Sequence, residues 1–316
     1  MRNYVNLILA LGLALFFLSA CGGEKTDKSG KPVDTPTTGN LSVMVDEAYQ
    51  PIISTSLDVF HSMYAGRAHI DARYVSEGEA INSLMNDSVT VIIITRQLKE
   101  DEMAYFKSRG FTPPQTPIAY DALAFIVHPD NPDTVFTVEQ IRKIITGEIT
   151  SWKQINPGNS LGDIQLVFDH PMSGNVRYAK DSIAMGAPLA PKASALQSNE
   201  ETINYVAQHR NAIGIIGANW ISDTDDKGVQ QFLKAIRIAD IAREAGMTGY
   251  GPYQAFLATG DYPFKRGVYI INAQARQGLG SGLASFLASD QGQRIVLKDG
   301  LLPASAPMRL IKTSRN

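Results

Sequence analysis

The sequence predicts an α/β fold with mostly parallel sheets, because short apolar strands alternate along the chain with longer amphipathic helical stretches. Several of the strands are apolar throughout, which is typical of strands that are covered on both faces. The 316 residues have the composition of an ordinary globular protein, with 44% hydrophobic and 19% charged residues. The part after residue 40 is long enough for two domains of ordinary size or for one large domain.

The N-terminal residues have the pattern of a lipoprotein export signal. Arg2 precedes an apolar run at residues 7–18, and two small residues stand directly before Cys21, the only cysteine. We therefore expect residues 1–20 to be removed as a signal peptide and Cys21 to carry a lipid. The alternative is an uncleaved membrane anchor, but the run is shorter than the ~20 residues of a membrane span. Either arrangement places the remainder outside the cytoplasm, as a bacterial cell-envelope lipoprotein facing the periplasm or the cell surface.

Residues 21–40 are predicted to be a flexible linker. Gly, Lys, Thr, Pro and Asp dominate this segment, and it has almost no apolar residue after the cysteine. Such a composition offers too little apolar surface to pack against a core. We therefore expect the folded part to begin at residue 41.

The alternating elements follow in order from residue 41. The predicted strands lie at residues 41–45, 69–74, 89–94, 123–127, 164–168, 213–216, 236–238 and 267–271. The predicted helices lie at residues 51–64, 77–86, 99–109, 137–146, 175–184, 199–208 and 279–289. In such folds, ligands collect where the carboxyl ends of strands meet the N-termini of the following helices.

Composition and motifs argue against several function classes. The net charge of -2 and the absence of a Lys/Arg block predict no nucleic-acid partner. With one cysteine, no HExxH motif, no Gly-rich phosphate loop and five histidines without metal-ligand spacing, we expect no cofactor, no metal and no enzyme activity. A hydrolase that uses Asp169, His170 and Ser173 is a remote alternative, because residues so close in sequence rarely form a triad.

Polar residues at three strand-to-helix turns form the candidate ligand site. One turn follows the first strand, one follows the third, and one follows the strand that ends at residue 168; Asp121 stands just before another apolar strand. The candidate ligand-binding residues are Glu47, Ala48, Thr95, Arg96, Asp121, Ser173, Gly174 and Asn175. If the turns share one sheet edge, these residues could converge on a small polar ligand. The alternative is that they are ordinary surface residues that never meet.

The residue types at these turns suit an anion. Thr95 and Arg96 supply a hydroxyl and a guanidinium, the pairing expected for an oxyanion or a carboxylate. Gly174 would let the backbone approach the ligand closely.

Residues 117–158 carry a longer ordered pattern. They include PIAYDALAFIVHPDNP and TVEQIRKIITGEITSWKQINPG. Further matches are Ala212-Ile213-Gly214, Tyr262-Pro263 with Arg266 and Tyr269, and the ending FLASDQGQRIVLKDGLLP. In this order, the pattern resembles that of the phosphate-type periplasmic substrate-binding proteins of ABC importers.

The resemblance implies two α/β lobes, each a mostly parallel sheet flanked by helices, joined by two crossing strands and closing on a ligand in the cleft. It implies a first lobe at residues 41–119 plus 250–316 and a second lobe at residues 120–249, with the second crossing near residues 251–257. The implied partners are a small-molecule ligand, most simply a phosphate-like anion, and an ABC permease. The membrane would be reached only through the lipid, and we expect a monomer.

Carried over by position, the resemblance also shows departures. Thr95-Arg96 matches the family's Ser-Arg element, Asp121 matches its Asp, and residues 173–175 match its Ser-Gly-Thr with Asn175 as the one change. The first loop, however, contains Asp46 and Glu47 where hydroxyl residues are expected.

Asp169 also stands where the family has Arg. A carboxylate ~4 Å from a phosphate dianion repels it by several kcal/mol even at an effective dielectric of ~20. One interpretation is that the acids face solvent and that Arg177 or Arg266 replaces the missing guanidinium. A second is that the fold has been retuned for a different ligand, for example one with a positive or hydrogen-bond-donating group. A third is a lipoprotein that uses the fold as a sensor or interaction module rather than for transport.

Overall fold

The computed structural model describes residues 34–305, and the predicted signal peptide and Cys21 therefore lie outside the described residues. The strands are β1 (Gly39–Asp46), β2 (Ala68–Val75), β3 (Val91–Ile94), β4 (Gln115–Val127), β5 (Val135–Thr137), β6 (Gln165–Phe168), β7 (Ser194–Ala195), β8 (Ala212–Gly217), β9 (Arg237–Ile238), β10 (Asp240–Ala242), β11 (Lys265–Asn272) and β12 (Leu302–Pro303). The α-helices are α1 (Gln50–Met63), α2 (Glu77–Met85), α3 (Glu100–Ser108), α4 (Val138–Thr146), α5 (Gly174–Tyr178), α6 (Asn199–Gln208), α7 (Asn219–Ser222), α8 (Lys227–Ala235), α9 (Gln254–Thr259), α10 (Leu279–Ala288) and α11 (Asp290–Lys298).

Most strands join one sheet in the order β2-β1-β3-β11-β4-β8-β6-β7, with β9 and β12 also paired to β4. The outer strands on each side run parallel to their neighbours: β1 to β2 and β3, and β6 to β7 and β8. The central strands β11 and β4 are antiparallel. The α/β class and the mostly parallel sheets predicted from the sequence are confirmed.

Strand β4 connects the two halves of the sheet. Its residues 115–122 pair with β11, and its residues 123–127 pair with β8. We refer to the half built on β2, β1, β3 and β11 as the first lobe, and to the half built on β8, β6 and β7 as the second lobe. Each lobe has its own buried apolar clusters, two in the first lobe and one in the second.

The return of the chain from the second lobe differs from the prediction. Leu257, Tyr262 and Phe264 are buried in the second-lobe cluster, and the Tyr262 hydroxyl donates to the Leu123 carbonyl at 2.5 Å. Residues 250–264 therefore pack with the second lobe, and the crossing lies at the start of β11 rather than near residues 251–257. The aromatic side chains account for this difference, because they fill the core beneath β4. The remaining lobe bounds stay a prediction.

The linker also ends earlier than predicted. Thr35 and Thr38 form a β-bridge, and β1 already begins at Gly39. The Asp34 carboxylate accepts a hydrogen bond from the Leu279 backbone N–H at 2.9 Å, at the start of α10. The free N–H groups of a helix N-terminus favour such an acceptor. This cap holds the end of the predicted linker against the first lobe.

Local signals explain where the helices begin and end. Helix α4 starts with a capping box, in which the Thr137 hydroxyl accepts from Gln140 N–H and the Gln140 side chain accepts from Thr137 N–H. It ends at Gly147, whose φ of 79° is the left-handed conformation that favours glycine.

Between residues 34 and 305, no helix combines the length and apolarity needed to cross a bilayer.

Candidate functional site

The predicted loops meet at the interface between the two lobes. Strands β1 and β6 are parallel to their neighbours, and β3 is parallel to β1 but antiparallel to β11. The carboxyl ends of these three strands lead to Asp46, Thr95 and Asp169. A Cβ placed on Gly174 would lie 2.6 Å from Asp46 Oδ2 and 2.7 Å from Thr95 Oγ1. Residues from both lobes are therefore in close contact across a narrow cleft. That these residues bind a ligand stays a prediction.

Asp121 lies at the bottom of the cleft in a buried ion pair. Its Oδ2 accepts from Arg266 Nη2 at 2.9 Å, from Arg266 Nε at 3.2 Å and from the Tyr49 hydroxyl at 3.1 Å. All three side chains are buried. Asp121 Oδ1 and Arg266 Nη1 have no hydrogen-bond partner within residues 34–305. Asp121 is therefore paired with the Arg266 guanidinium in this buried position, and a role of Asp121 in ligand binding stays a prediction.

The Asp169 carboxylate accepts hydrogen bonds from two side chains of the second-lobe loop. Ser173 Oγ donates to Asp169 Oδ1 at 2.6 Å, and Asn175 Nδ2 donates to Asp169 Oδ2 at 2.8 Å. Asn199 Nδ2 adds a longer bond to the same oxygen at 3.2 Å. The carboxylate at the position where the family has Arg is therefore buried inside the loop, which contradicts the interpretation that it faces solvent.

The two acids of the first loop also point inward. Asp46 is buried; its Oδ1 accepts from Ala48 N–H at 3.1 Å, while Oδ2 has no partner in the described part of the chain. Glu47 reaches across the cleft, where its carboxylate accepts from both the backbone N–H and the side-chain Nδ2 of Asn199. Asn199 in turn accepts from Gly217 N–H through Oδ1 at 2.8 Å. Glu47 thus forms one of the contacts that hold the lobes together.

Glu77 is a cleft residue that the sequence prediction missed. It is buried at the first position of α2, and its carboxylate accepts from Thr95 N–H at 3.0 Å, from the Thr95 hydroxyl and from Arg177 Nε. Arg177 Nη2 also donates to Thr95 Oγ1 at 2.6 Å. The available signal was a fourth strand-to-helix turn, Ser76-Glu77, between β2 and α2.

Arg96 is placed differently from the other predicted residues. Its guanidinium forms two bonds of 2.7 Å with the Glu102 carboxylate, six residues later in the chain. Its Nε lies 3.9 Å from Glu77 Oε1. Arg96 therefore neutralises two acids at the edge of the first lobe, and Arg177 is the guanidinium that bonds to Thr95.

Burial has the largest effect on the pKa values of Asp46, Glu47 and Asp169, three acids of the cleft. Burial raises the pKa of Asp46, with Glu77 and Asp169 adding to the rise, and burial also raises the pKa of Asp169. Burial raises the pKa of Glu47 to about 7, although bonds from Asn199 oppose this. Burial disfavours the ionised form of Glu77 as well, but Arg177 and Thr95 outweigh it and lower the pKa of that carboxyl. The contacts with Arg177 and Thr95 therefore favour the charged form of Glu77.

The raised pKa of Glu47 predicts a loss of stability as the pH rises. The group binds its proton more tightly in the folded protein, so its contribution is complete below the usual value of 4.5 and is lost as the pH rises through about 7. The shift corresponds to at most about 3 kcal/mol. Urea unfolding between pH 4.5 and 8 should show a smaller decline for Glu47→Gln than for the unsubstituted protein. Equal declines, matching those of the exposed control Glu244→Gln, would contradict the assignment.

A small cavity opens at the edge of the cleft, with a volume of about 170 Å³. Four carboxylates line it, those of Asp46, Glu47, Glu79 and Asp169, and none of its lining residues is Lys or Arg. Across residues 34–305, no group of three or more His, Cys, Asp and Glu side chains is arranged to hold a metal ion.

The hydrolase alternative lacks its defining hydrogen bond. Ser173 Oγ donates directly to Asp169, and His170 Nδ1 accepts from Met172 N–H at 3.1 Å instead of from the serine. A triad requires the histidine between the serine and the carboxylate. The arrangement instead caps helix α5, where Ser173 Oγ accepts from Val176 N–H.

Comparisons with known proteins agree on the family. The curated relatives include the phosphate-binding protein PstS of Pseudomonas aeruginosa, 22% identical over 284 residues, covering 85% of this chain and 84% of that protein. PstS of Borreliella burgdorferi is 27% identical over 240 residues, covering 73% of this chain and 78% of the relative. Among solved structures, a Clostridium perfringens protein assigned as a phosphate ABC transporter substrate-binding protein, with bound phosphate, superposes with a TM-score of 0.71.

That structure shares 21% sequence identity and covers 84% of this chain and 100% of its own. It therefore supports the two-lobed fold. The model of the PBP superfamily domain matches residues 31–291, which is most of the chain. As the resemblance to periplasmic substrate-binding proteins predicted, the chain belongs to the PBP superfamily.

Proposed function

We propose that this protein is an extracytoplasmic solute-binding protein that captures phosphate or a related small oxyanion between its two lobes for an ABC importer. The observation that carries the proposal is the convergence of strand-end loops from both lobes on one buried cleft. Thr95 and Arg266 offer donors from the first lobe, and Arg177 and Asn175 offer donors from the second. The names of the curated relatives supply phosphate as the first ligand to test.

Cys21 would anchor the protein in the cell envelope, which mass spectrometry of the mature protein can check. The protein would act as a monomer that presents its ligand to the permease, without catalysing a reaction. The same two-lobed body could serve a sensor instead, which would engage a different membrane partner.

The carboxylates of the cleft favour a second candidate, in which the fold binds a ligand other than phosphate. Asp46, Glu47 and Asp169 lie in the cleft, and Asp46 Oδ2 has no partner among the described residues. An unpaired carboxylate oxygen favours a ligand that donates hydrogen bonds, such as an amine or a hydroxyl group. The acidic cavity at the cleft edge has the same preference.

Titration calorimetry of the full chain in detergent separates the two candidates. We expect saturable binding of phosphate, and we expect Arg177→Met to abolish it because the substitution removes the second-lobe guanidinium. The matched control is Arg109→Met, whose side chain lies on the exposed surface of the first lobe with Asp87. Binding of a small amine, with no heat from phosphate or sulfate, would reject the oxyanion and support the second candidate.

A further inference from the structure

The Glu77 carboxylate occupies the position in the cleft where donors for an anion converge. It is buried, and it accepts from the Thr95 backbone N–H at 3.0 Å, the Thr95 hydroxyl and Arg177 Nε. The resemblance assigns the Thr95 position to the ligand, and Arg177 supplies the guanidinium of the opposite lobe. A carboxylate resembles an oxyanion in charge and in its acceptor oxygens, so Glu77 satisfies the same donors.

The contact of Glu77 with Arg177 also bridges the lobes. Glu77 begins α2 in the first lobe, whereas Arg177 lies in α5 of the second lobe, 100 residues further along the chain. A backbone bond lies beside this bridge, from Gly78 N–H to the Met172 carbonyl at 3.0 Å. In related two-lobed proteins it is the ligand that joins the lobes. Here a side chain of the protein makes the equivalent contact.

We propose that Glu77 is a built-in substitute for the ligand anion, which closes the lobes on Arg177 and which an incoming oxyanion must displace. This inference rests on the proposed function. Glu77 then sets the affinity of the cleft, since every anion competes with it for Thr95 and Arg177. Burial opposes its charge, but Arg177 and Thr95 keep the pKa of Glu77 low, so the competitor remains charged.

Distances between the lobes test the bridge directly. Two exposed residues, Asn82 on α2 and Lys180 just after α5, are replaced by cysteine and spin-labelled in the full chain, with Cys21→Ser removing the native thiol. Pulsed electron paramagnetic resonance then measures the label separation with and without saturating phosphate. We expect one short distance under both conditions for the protein with Glu77. For Glu77→Gln we expect a longer, broader distribution that shortens when phosphate is added.

Calorimetry on the same proteins tests the competition. Glu77→Gln keeps the shape of the side chain but loses its charge, so we expect phosphate affinity to rise by about tenfold or more. Glu100→Gln is the matched control, because it makes the same change on an exposed position of α3. Arg177→Met breaks the bridge from the other lobe and should also open the protein, which keeps the test valid if Glu77→Gln fails to fold.

The outcomes distinguish the bridge from the proposed ligand. Lobes that stay closed in both Glu77→Gln and Arg177→Met without phosphate would overturn the bridge, as would open lobes in the protein with Glu77. Opening of Glu77→Gln with phosphate affinity equal to that of the unsubstituted protein would overturn the competition. Opening of Glu77→Gln with no binding of phosphate or sulfate would support the bridge and reject the oxyanion as the ligand.

Discussion

Replacing Arg266 with methionine is expected to lower the free energy of unfolding by about 3–5 kcal/mol, the usual cost of removing one partner from a buried ion pair. Arg266 is buried, and two of its nitrogens donate to Asp121 Oδ2 at 2.9 and 3.2 Å. Without the guanidinium, Asp121 would remain buried with the Tyr49 hydroxyl as its one hydrogen-bond partner among residues 34–305. Urea unfolding at neutral pH measures the loss.

The loss of stability in Arg266→Met should also involve two other carboxyl groups, those of Asp46 and Asp169. Burial raises the pKa of Asp46 and of Asp169, and the charge of Arg266 counteracts this rise at both residues. The matched control is Arg109→Met, which removes an ion pair with Asp87 at 2.7 Å on the exposed surface and should change stability little. Equal losses for the two variants would show that the pair at the bottom of the cleft contributes no more than a surface pair.

Replacing Gly174 with alanine is expected to prevent the close approach of the lobes. A Cβ at this position would lie 2.6 Å from Asp46 Oδ2 and 2.7 Å from Thr95 Oγ1, so these groups or the lobes must shift. Gly174 is the first residue of α5, and alanine is a good helix former, so the helix itself should tolerate the change. Overpacking of this kind costs roughly 1–3 kcal/mol. The label separation between positions 82 and 180 should lengthen.

Phosphate should not restore the short distance in Gly174→Ala, because the obstacle is steric and no ligand removes it. This separates the variant from Glu77→Gln, which phosphate should close. Gly158→Ala is a suitable control: it lies exposed on the second lobe, and its Cβ would come no closer than 3.4 Å to its nearest neighbour, Asn156 Oδ1. A closed Gly174→Ala would mean that Asp46 and Thr95 move aside easily.

The sequence predicted the position of the cleft better than its internal bonds. Thr95 and the loop after β6 could be assigned to the ligand side because β3 and β6 are short and apolar, each is parallel to at least one neighbouring strand of its own lobe, and ligands collect at the carboxyl ends of such strands. Asp121 was expected just before an apolar strand, but it lies inside β4 rather than at its end. The buried Asp169 follows β6 directly, but nothing in the sequence shows that Ser173 and Asn175 turn back to it.

Glu77 and Arg96 show why the remaining contacts could not be predicted. An acid at the first position of a helix is common, because it favours the helix N-terminus, and so Glu77 carried no special signal. Its contact with Arg177 depends on how the lobes close, which local sequence does not determine. Arg96 was expected to face the ligand, but Glu102 in the first turn of α3 offers it a nearer bidentate partner.

The boundary between the lobes in the C-terminal part of the chain also differs from the prediction, because of side-chain packing. Residues 250–264 were predicted to begin the return to the first lobe, yet α9 and the aromatic residues after it remain in the core of the second. The sequence marks this stretch as a turn-rich connection with Gly251, Pro252 and Pro263. Which lobe buries Tyr262 and Phe264 is decided by the space beneath β4, and that space depends on elements far away in the sequence.

The uninterrupted course of β4 makes the junction between the lobes an elastic connection. Hydrogen bonds hold the strand to β11 up to residue 122 and to β8 from residue 123, so the sheet continues through the junction. A loop would allow the lobes to swing with little resistance, whereas a paired strand resists by elastic bending and twisting of its backbone. Any force that separates the lobes therefore meets a restoring torque, which returns them toward one preferred angle when the force is released.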